Sequence, residues 1–121
     1  MINQIFDEIK IIKKPIDKKE LAHIAQKQFG DLVKAVVDIK QEIMAVGGDL
    51  HADEEVILME QEGSKREHTW GINLYVEKTD DEWIEFDSMI NIKPFFNNRS
   101  RGVESPETRK KIKDIVQKLI K

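Results

Sequence analysis

Three groups of residues carry side chains that could do chemistry. The first is His51-Ala52-Asp53-Glu54-Glu55. In an extended chain His51, Asp53 and Glu55 project to one side, because side chains alternate along a strand. An imidazole between two carboxylates suits a hard or borderline divalent metal, or a general base with an orienting acid. The second group is polar and lies in two strand-like stretches, Thr69–Val76 and Glu82–Lys93. Gly71, Asn73 and Tyr75 share one parity in the first stretch; Trp83, Glu85, Asp87 and Asn91 share one in the second. The third is the loop Asn97-Asn98-Arg99-Ser100-Arg101-Gly102, whose two guanidiniums, hydroxyl and backbone N–H groups fit a phosphate or carboxylate. That loop lacks the glycine and lysine spacing of a nucleotide P-loop.

The elements that must position these residues follow from hydrophobic period and punctuation. Lys10–Lys14 reads as a short edge strand, since lysines on an edge discourage further pairing. It follows an apolar cluster of Ile5, Phe6 and Ile9. Asp17 stands three residues before Glu20, a capping-box spacing, and Leu21, Ile24, Ala25 and Phe29 follow at helical intervals before Gly30. This predicts a helix over Asp17–Phe29. Leu32, Val36, Ile39, Ile43 and Val46 recur at alternating four- and three-residue steps, so Asp31–Val46 is expected to be a second helix, capped by Asp31 and Gly47-Gly48. The same stretch is rich in valine, and a buried strand is the alternative. In 49–61 the run Val56-Ile57-Leu58-Met59 before Glu62-Gly63-Ser64 predicts a strand.

Thr69–Val76 and Glu82–Lys93 alternate cleanly. Trp70, Ile72, Leu74 and Val76 face one way in the first, and Ile84, Phe86, Ser88, Ile90 and Ile92 in the second. With both aliphatic faces on the core, two antiparallel registers are open. One pairs Asn73 with Glu85 and Gly71 with Asp87; the other pairs Asn73 with Asp87 and Gly71 with Met89. Either puts Gly71, Asn73, Trp83, Asp87 and Asn91 on a common outer face. Gly71 would leave a gap there for a ligand or another chain to approach the backbone. Ser105-Pro106 starts a last helix, Pro106–Ile120, with an apolar stripe of Ile112, Ile115, Val116, Leu119 and Ile120. The expected fold is a single α+β domain over 1–121. An antiparallel meander of about four strands carries three helices on one face, in the order β-α-α-β-β-β-α.

Composition narrows the function classes. A chain of 121 residues buries roughly two-thirds of its unfolded surface and needs no covalent staple. With no cysteine, disulfides, thiolate metal sites, iron–sulfur clusters and thiol catalysis are excluded. A formal net charge of −3 is unlike a general nucleic-acid coat, which is strongly basic. No apolar run is long enough to span a bilayer, and the first residues lack a signal-peptide pattern, so a cytoplasmic protein is expected. No cofactor motif stands out.

The wording FGDLVKAVVDIKQEIMAVGGDLHADEE, WGINLY, WIEFDSMINIKP and NRSRGVESPE resembles a family of small bacterial and archaeal proteins catalogued as a domain of unknown function. The likeness runs from about Pro15 to Ile120 and brings no activity, cofactor or partner with it. The expected element order is also similar to that of ribosome-dependent messenger-RNA-cleaving toxins and their gyrase-targeting relatives. Those proteins are strongly basic, unlike this chain.

Two functions are expected. The first is a non-enzymatic binding or interaction module that uses Gly71, Asn73, Trp83, Asp87 and Asn91, with Arg99 and Arg101 at the rim. Its partner would be a protein or a small anionic ligand, with a homodimer seam on the same face as a variant. The second is a small hydrolase or nuclease-like enzyme, metal-assisted in one form, that uses His51, Asp53 and Asp87. In both, Arg99 or Arg101 has a structural alternative, pairing with Asp87 or Glu85 to pin the loop.

Overall fold

The computed structural model describes residues 8–121. Ile5 and Phe6 of the expected N-terminal cluster lie outside that range. Five strands, β1 (Lys10–Ile12), β2 (Leu32–Asp38), β3 (Ile43–Val46), β4 (Thr69–Tyr75) and β5 (Ile84–Glu85), form one antiparallel sheet in the order β1-β3-β2-β4-β5. Three helices among the described residues, α1 (Lys18–Lys27), α2 (His51–Glu62) and α3 (Pro106–Leu119), complete an α+β fold.

The caps act as their residue types dictate. Asp17 accepts the Glu20 N–H at 2.8 Å to start α1, and Ser105 accepts from Thr108 at 3.2 Å to start α3, with Pro106 in the first turn. Gly30, at φ +90°, returns its N–H to Ala25 and stops α1.

Two segments differ from expectation. Asp31–Val46 is not a helix but the hairpin β2–β3. The Asp38 carboxylate accepts the N–H groups of Lys40 (2.9 Å) and Gln41 (3.1 Å), and Glu42 takes a left-handed φ of 59°, which turns the chain. Residues 49–61 are not strand-like but form most of α2, closed by Gly63 in the left-handed region. Both differences have one cause. The helices do not share a face: α1 and α3 cover one side of the sheet and α2 the other. Val33, Ala35, Val37, Met44, Ile72 and Leu74 pack with Leu21, Ala25, Ile112 and Val116 in the larger core. Val36, Ile43 and Ala45 pack with Leu58 and Ile90 on the opposite side. Strands buried on both faces read as continuous apolar runs, so their apolar positions also fit a helical period.

The third departure is in Glu82–Lys93. Only Ile84–Glu85 pairs with β4, in the register that sets Asn73 opposite Glu85. Ser88 then accepts the Ile90 N–H at 3.3 Å and starts a 3₁₀ turn over Met89–Asn91, and a second such turn spans Pro94–Phe96.

Candidate functional site

Beyond β5 the edge of β4 has no strand partner among the described residues, and side chains take its place. The Asn91 carboxamide accepts the Gly71 N–H at 2.8 Å and donates to the Gly71 carbonyl at 3.0 Å and the Arg101 carbonyl at 2.9 Å. Lys93 sends its ammonium to the carbonyls of Thr69 and Arg66 and lies 4.0 Å from the centre of the Trp70 ring. Burial pulls the Lys93 amine down to about 8. Asn91 is fully buried and satisfied, so it holds the site together instead of facing a ligand.

Gly71 is bare because its own chain fills the space above it. A Cβ there would meet Ser88 Cβ and Oγ at 2.6 Å and His51 Cδ2 at 3.2 Å. The gap expected to admit a ligand is therefore closed by the 3₁₀ turn and by the first residue of α2. The His51 ring sets Nε2 2.8 Å from the Ile72 carbonyl. A carbonyl only accepts, so Nε2 carries the proton and Nδ1 is left as an acceptor. Burial lowers the His51 pKa and keeps the ring neutral at pH 7.

Asn73 is 8% exposed. Its Nδ2 donates to Glu85 Oε1 at 2.9 Å and to the Asp87 carbonyl at 3.3 Å, which fixes the amide orientation. Its Oδ1 has no hydrogen-bond partner among the described residues. Asp87 Oδ1 pairs with Arg101 Nε at 2.7 Å, and the Arg101 carbonyl accepts the Ser88 N–H. The structural alternative for the loop thus holds for Arg101: it pins the loop to the sheet.

These groups surround a cavity of about 220 Å³ lined by Lys34, Leu50, His51, Ala52, Asn73, Asp87, Ser88, Met89, Ile90 and Arg101. Of the expected site residues, Asn73, Asp87, Arg101 and His51 share it. Gly71 lies behind His51 and Ser88. Trp83 is on the far side of the sheet: it closes a 3₁₀ turn over Asp81–Trp83, packs in the larger core, and stacks under the Lys18 ammonium at 4.4 Å. Strand alternation was the basis for placing it outside, and the turn breaks that alternation.

Arg99 does not line the cavity. The backbone N–H groups of Arg99 and Ser100 both donate to Glu104 Oε2 at 2.9 Å, so the chain's own carboxylate sits where the loop was expected to hold an anion. Hydrogen bonds from Ser100 and Arg99 hold the Glu104 carboxyl below its ordinary range. The His51, Asp53 and Glu55 set also dissolves. In a helix His51 and Glu55 share a face and Asp53 turns away, and Glu55 is engaged by Thr69 Oγ1 at 2.5 Å and Arg66 at 3.2 Å. Among the described residues no group of three or more His, Asp or Glu is placed to hold a metal ion.

Sequence reasoning missed Lys34, Leu50, Ala52, Ser88, Met89 and Ile90 as lining residues. Lys34 had a signal, as a lone cation within the valine-rich run LVKAVVD. Two larger hollows of about 320 Å³ each, one beside Gln28 and Gly47 and one beside Ile39 and Lys111, bring together fewer polar groups.

Fold and cavity define an α+β protein with a helix-covered antiparallel sheet and a small pocket of mixed charged and apolar lining at the mouth of one helix. The chain belongs to the protein family of unknown function DUF5674, whose model matches residues 10–119. No curated protein and no solved structure was found to match it. The likeness to messenger-RNA-cleaving toxins rested on an element order in which 31–46 is a helix, and it falls with that assignment.

Proposed function

We propose that the protein is a binding module whose cavity between β4, the start of α2 and the Arg101 loop receives a small ligand bearing an anionic group. The observation that carries this reading is a convergence of donors on one cavity. Lys34 and Arg101 line it together with Leu50, the N-cap of α2, and with His51 and Ala52, its first residues. Leu50 stands at the N-cap and supplies no side-chain acceptor. The first N–H groups of a helix have no partner within it, and the helix dipole adds partial positive charge at that end. Binding is favoured over acid–base catalysis because His51 Nε2 is committed to Ile72 and Asp87 to Arg101.

Thermal denaturation with a panel of small carboxylates and phosphates tests the reading. A ligand at a hundred times its Kd adds about 2.7 kcal/mol to the stability of the native state, a rise of several degrees in Tm. At least one member of the panel should produce it in wild type, and Lys34→Ala and Arg101→Ala should lose most of it while remaining folded. An unmoved Tm across the panel, or an equal rise in both variants, overturns the proposal.

A further inference from the structure

We infer that the outer face of α2, with the segment Met89–Phe96 beside it, is the seam of a symmetric dimer of this chain. Of the seven large apolar side chains that stand exposed among the described residues, six lie on this side of the molecule: Leu50, Val56, Met59, Met89, Phe95 and Phe96. The outward positions of the other two helices are polar, Lys19, His23, Gln26 and Lys27 in α1 and Lys110, Lys111, Asp114 and Lys118 in α3. In α2 they are Ala52, Val56 and Met59, a stripe at helical spacing, before Glu60 and Gln61. A helix that is apolar on its outward as well as its inward side is built to be covered. Leu50, Ala52 and Met89 line one cavity, so the stripe and the segment adjoin. Arg66 fastens them, donating to Glu55 of α2 and to the carbonyls of Ile90 and Ile92.

The segment ends in a stiff tip. Buried Lys93 and Asn98 exchange backbone hydrogen bonds at 2.7 and 3.1 Å and close the turn Pro94–Phe96, and Asn97 takes a left-handed φ of 64°. The tip holds Phe95, 92% exposed, out from the surface with little backbone freedom left to lose on docking. Charge selects what the face receives. α2 has no Lys or Arg, and Asp53 and Glu60, which border the stripe, join no ion pair among the described residues. These acids repel nucleic acid and an anionic lipid surface. Ile92–Gly102 has no acid, and Arg99 at the root of the tip joins no ion pair among the described residues. An apolar face with an acidic end and a basic end complements itself under a twofold rotation, which sets α2 of each copy against the tip of the other. Phe95 of each copy then covers Val56 and Met59 of the other, and Arg99 meets Glu60. Such a seam forms whether or not the cavity holds a ligand.

Sedimentation equilibrium of the full chain decides it. At about 100 μM, where a complex of micromolar Kd is nearly all assembled, wild type should show twice the 14.1 kDa mass of one chain. Val56→Glu with Met59→Glu, at exposed helical positions that suit Glu, should sediment as a monomer with the circular dichroism of wild type. Phe95→Ala, in a turn closed by backbone bonds, should keep the fold and weaken the dimer at least about tenfold. Glu60→Lys and Arg99→Glu should each weaken it, and the two together should recover part of the loss. A wild type that stays monomeric overturns the inference. If that monomer sediments with phosphatidylserine vesicles, the face meets lipid instead; if its Tm falls sharply in the Val56→Glu, Met59→Glu variant, the chain covers the stripe itself. A dimer that survives both that variant and Phe95→Ala uses another face and overturns it equally. Charge reversals whose losses add without recovery overturn the twofold arrangement.

Discussion

Glu54 shows how far one residue can depart from what its type leads one to expect. It is fully buried on the inner face of α2, one oxygen accepts the Gly48 N–H at 2.9 Å, and the other has no partner among the described residues. Burial raises its pKa well above 4.5, against a smaller lowering by the Gly48 bond. The folded state therefore holds the proton more tightly than the unfolded chain does. The stability this contributes is complete below about 4.5 and is lost as pH rises through the folded-state value. Glu54→Gln keeps the Gly48 bond and carries no charge at any pH. It should match wild type at pH 4 and be the more stable protein at pH 8, by about 1–3 kcal/mol, the usual cost of a buried group left unsatisfied. Urea denaturation at the two pH values measures this, and a variant less stable than wild type at pH 8 would show that the carboxylate has a partner worth more than its burial costs.

At the scale of elements, the edge of β4 is the feature on which the cavity depends. β5 pairs with it at two positions, Asn73 and Leu74. An open edge of this kind recruits other chains unless it is covered. Here it is covered by side chains from an irregular segment, with the Asn91 carboxamide acting as a substitute peptide group opposite Gly71. Asn98 extends the same device. Its Nδ2 donates to the carbonyls of Asn91, Ser100 and Gly102, and its Oδ1 accepts the Glu104 N–H. One amide thus closes the Arg101 loop on the turn that carries Asp87 and Ser88. Asn91→Ala removes three hydrogen bonds and orphans both Gly71 groups. The expected loss is about 1–3 kcal/mol per group left unpaired, with faster amide exchange at Gly71 and weakened ligand binding. Exchange at Gly71 that stays as slow as in wild type would mean the edge is covered by other means.

At the scale of the molecule, the C-terminal residues are tied to the segment that leads into α1. The Ile16 N–H donates to the Leu119 carbonyl at 2.8 Å, the Lys121 N–H returns to the Ile16 carbonyl at 2.8 Å, and Leu119 and Ile120 are buried in the larger core. This closure joins α3 to the lead-in of α1 on the face away from the cavity. Leu119→Ala should cost about 2–5 kcal/mol, a large share of the ~5–15 kcal/mol by which domains are stable. Its effect on ligand affinity should be slight, because α2 and the Asp87–Arg101 pair lie across the sheet. A large loss of affinity in the folded variant would show that the two faces are coupled. The same two-sided architecture sets the pocket. Among the described residues α2 is the helix that packs on the second face, and a hollow remains between its start, the sheet and the loop.

Local signals determined α1, α3 and β4 in the sequence. Asp17 and Ser105 are caps whose hydrogen bonds span three residues, and the Trp70, Ile72, Leu74 alternation needs only one apolar side to be read. The register of Asn73 on Glu85 was one of two that parity allowed. The Asp87–Arg101 pair was legible as a possibility because opposite charges flank the same short segment. Tertiary structure decided the rest. β2–β3 and α2 exchanged their expected conformations because the sheet is covered on both sides. This makes valine-rich strands apolar throughout and lets a helix bury His51, Glu54 and Glu55 while exposing Val56 and Met59. Hydrophobic period reports burial, and burial here runs against residue type. Trp83 moved to the other core because a 3₁₀ turn resets the parity of the chain. Lys34 and the start of α2 joined Asn73, Asp87 and Arg101 through strand pairing across the sheet, a relation between residues far apart in the chain that no local spacing encodes.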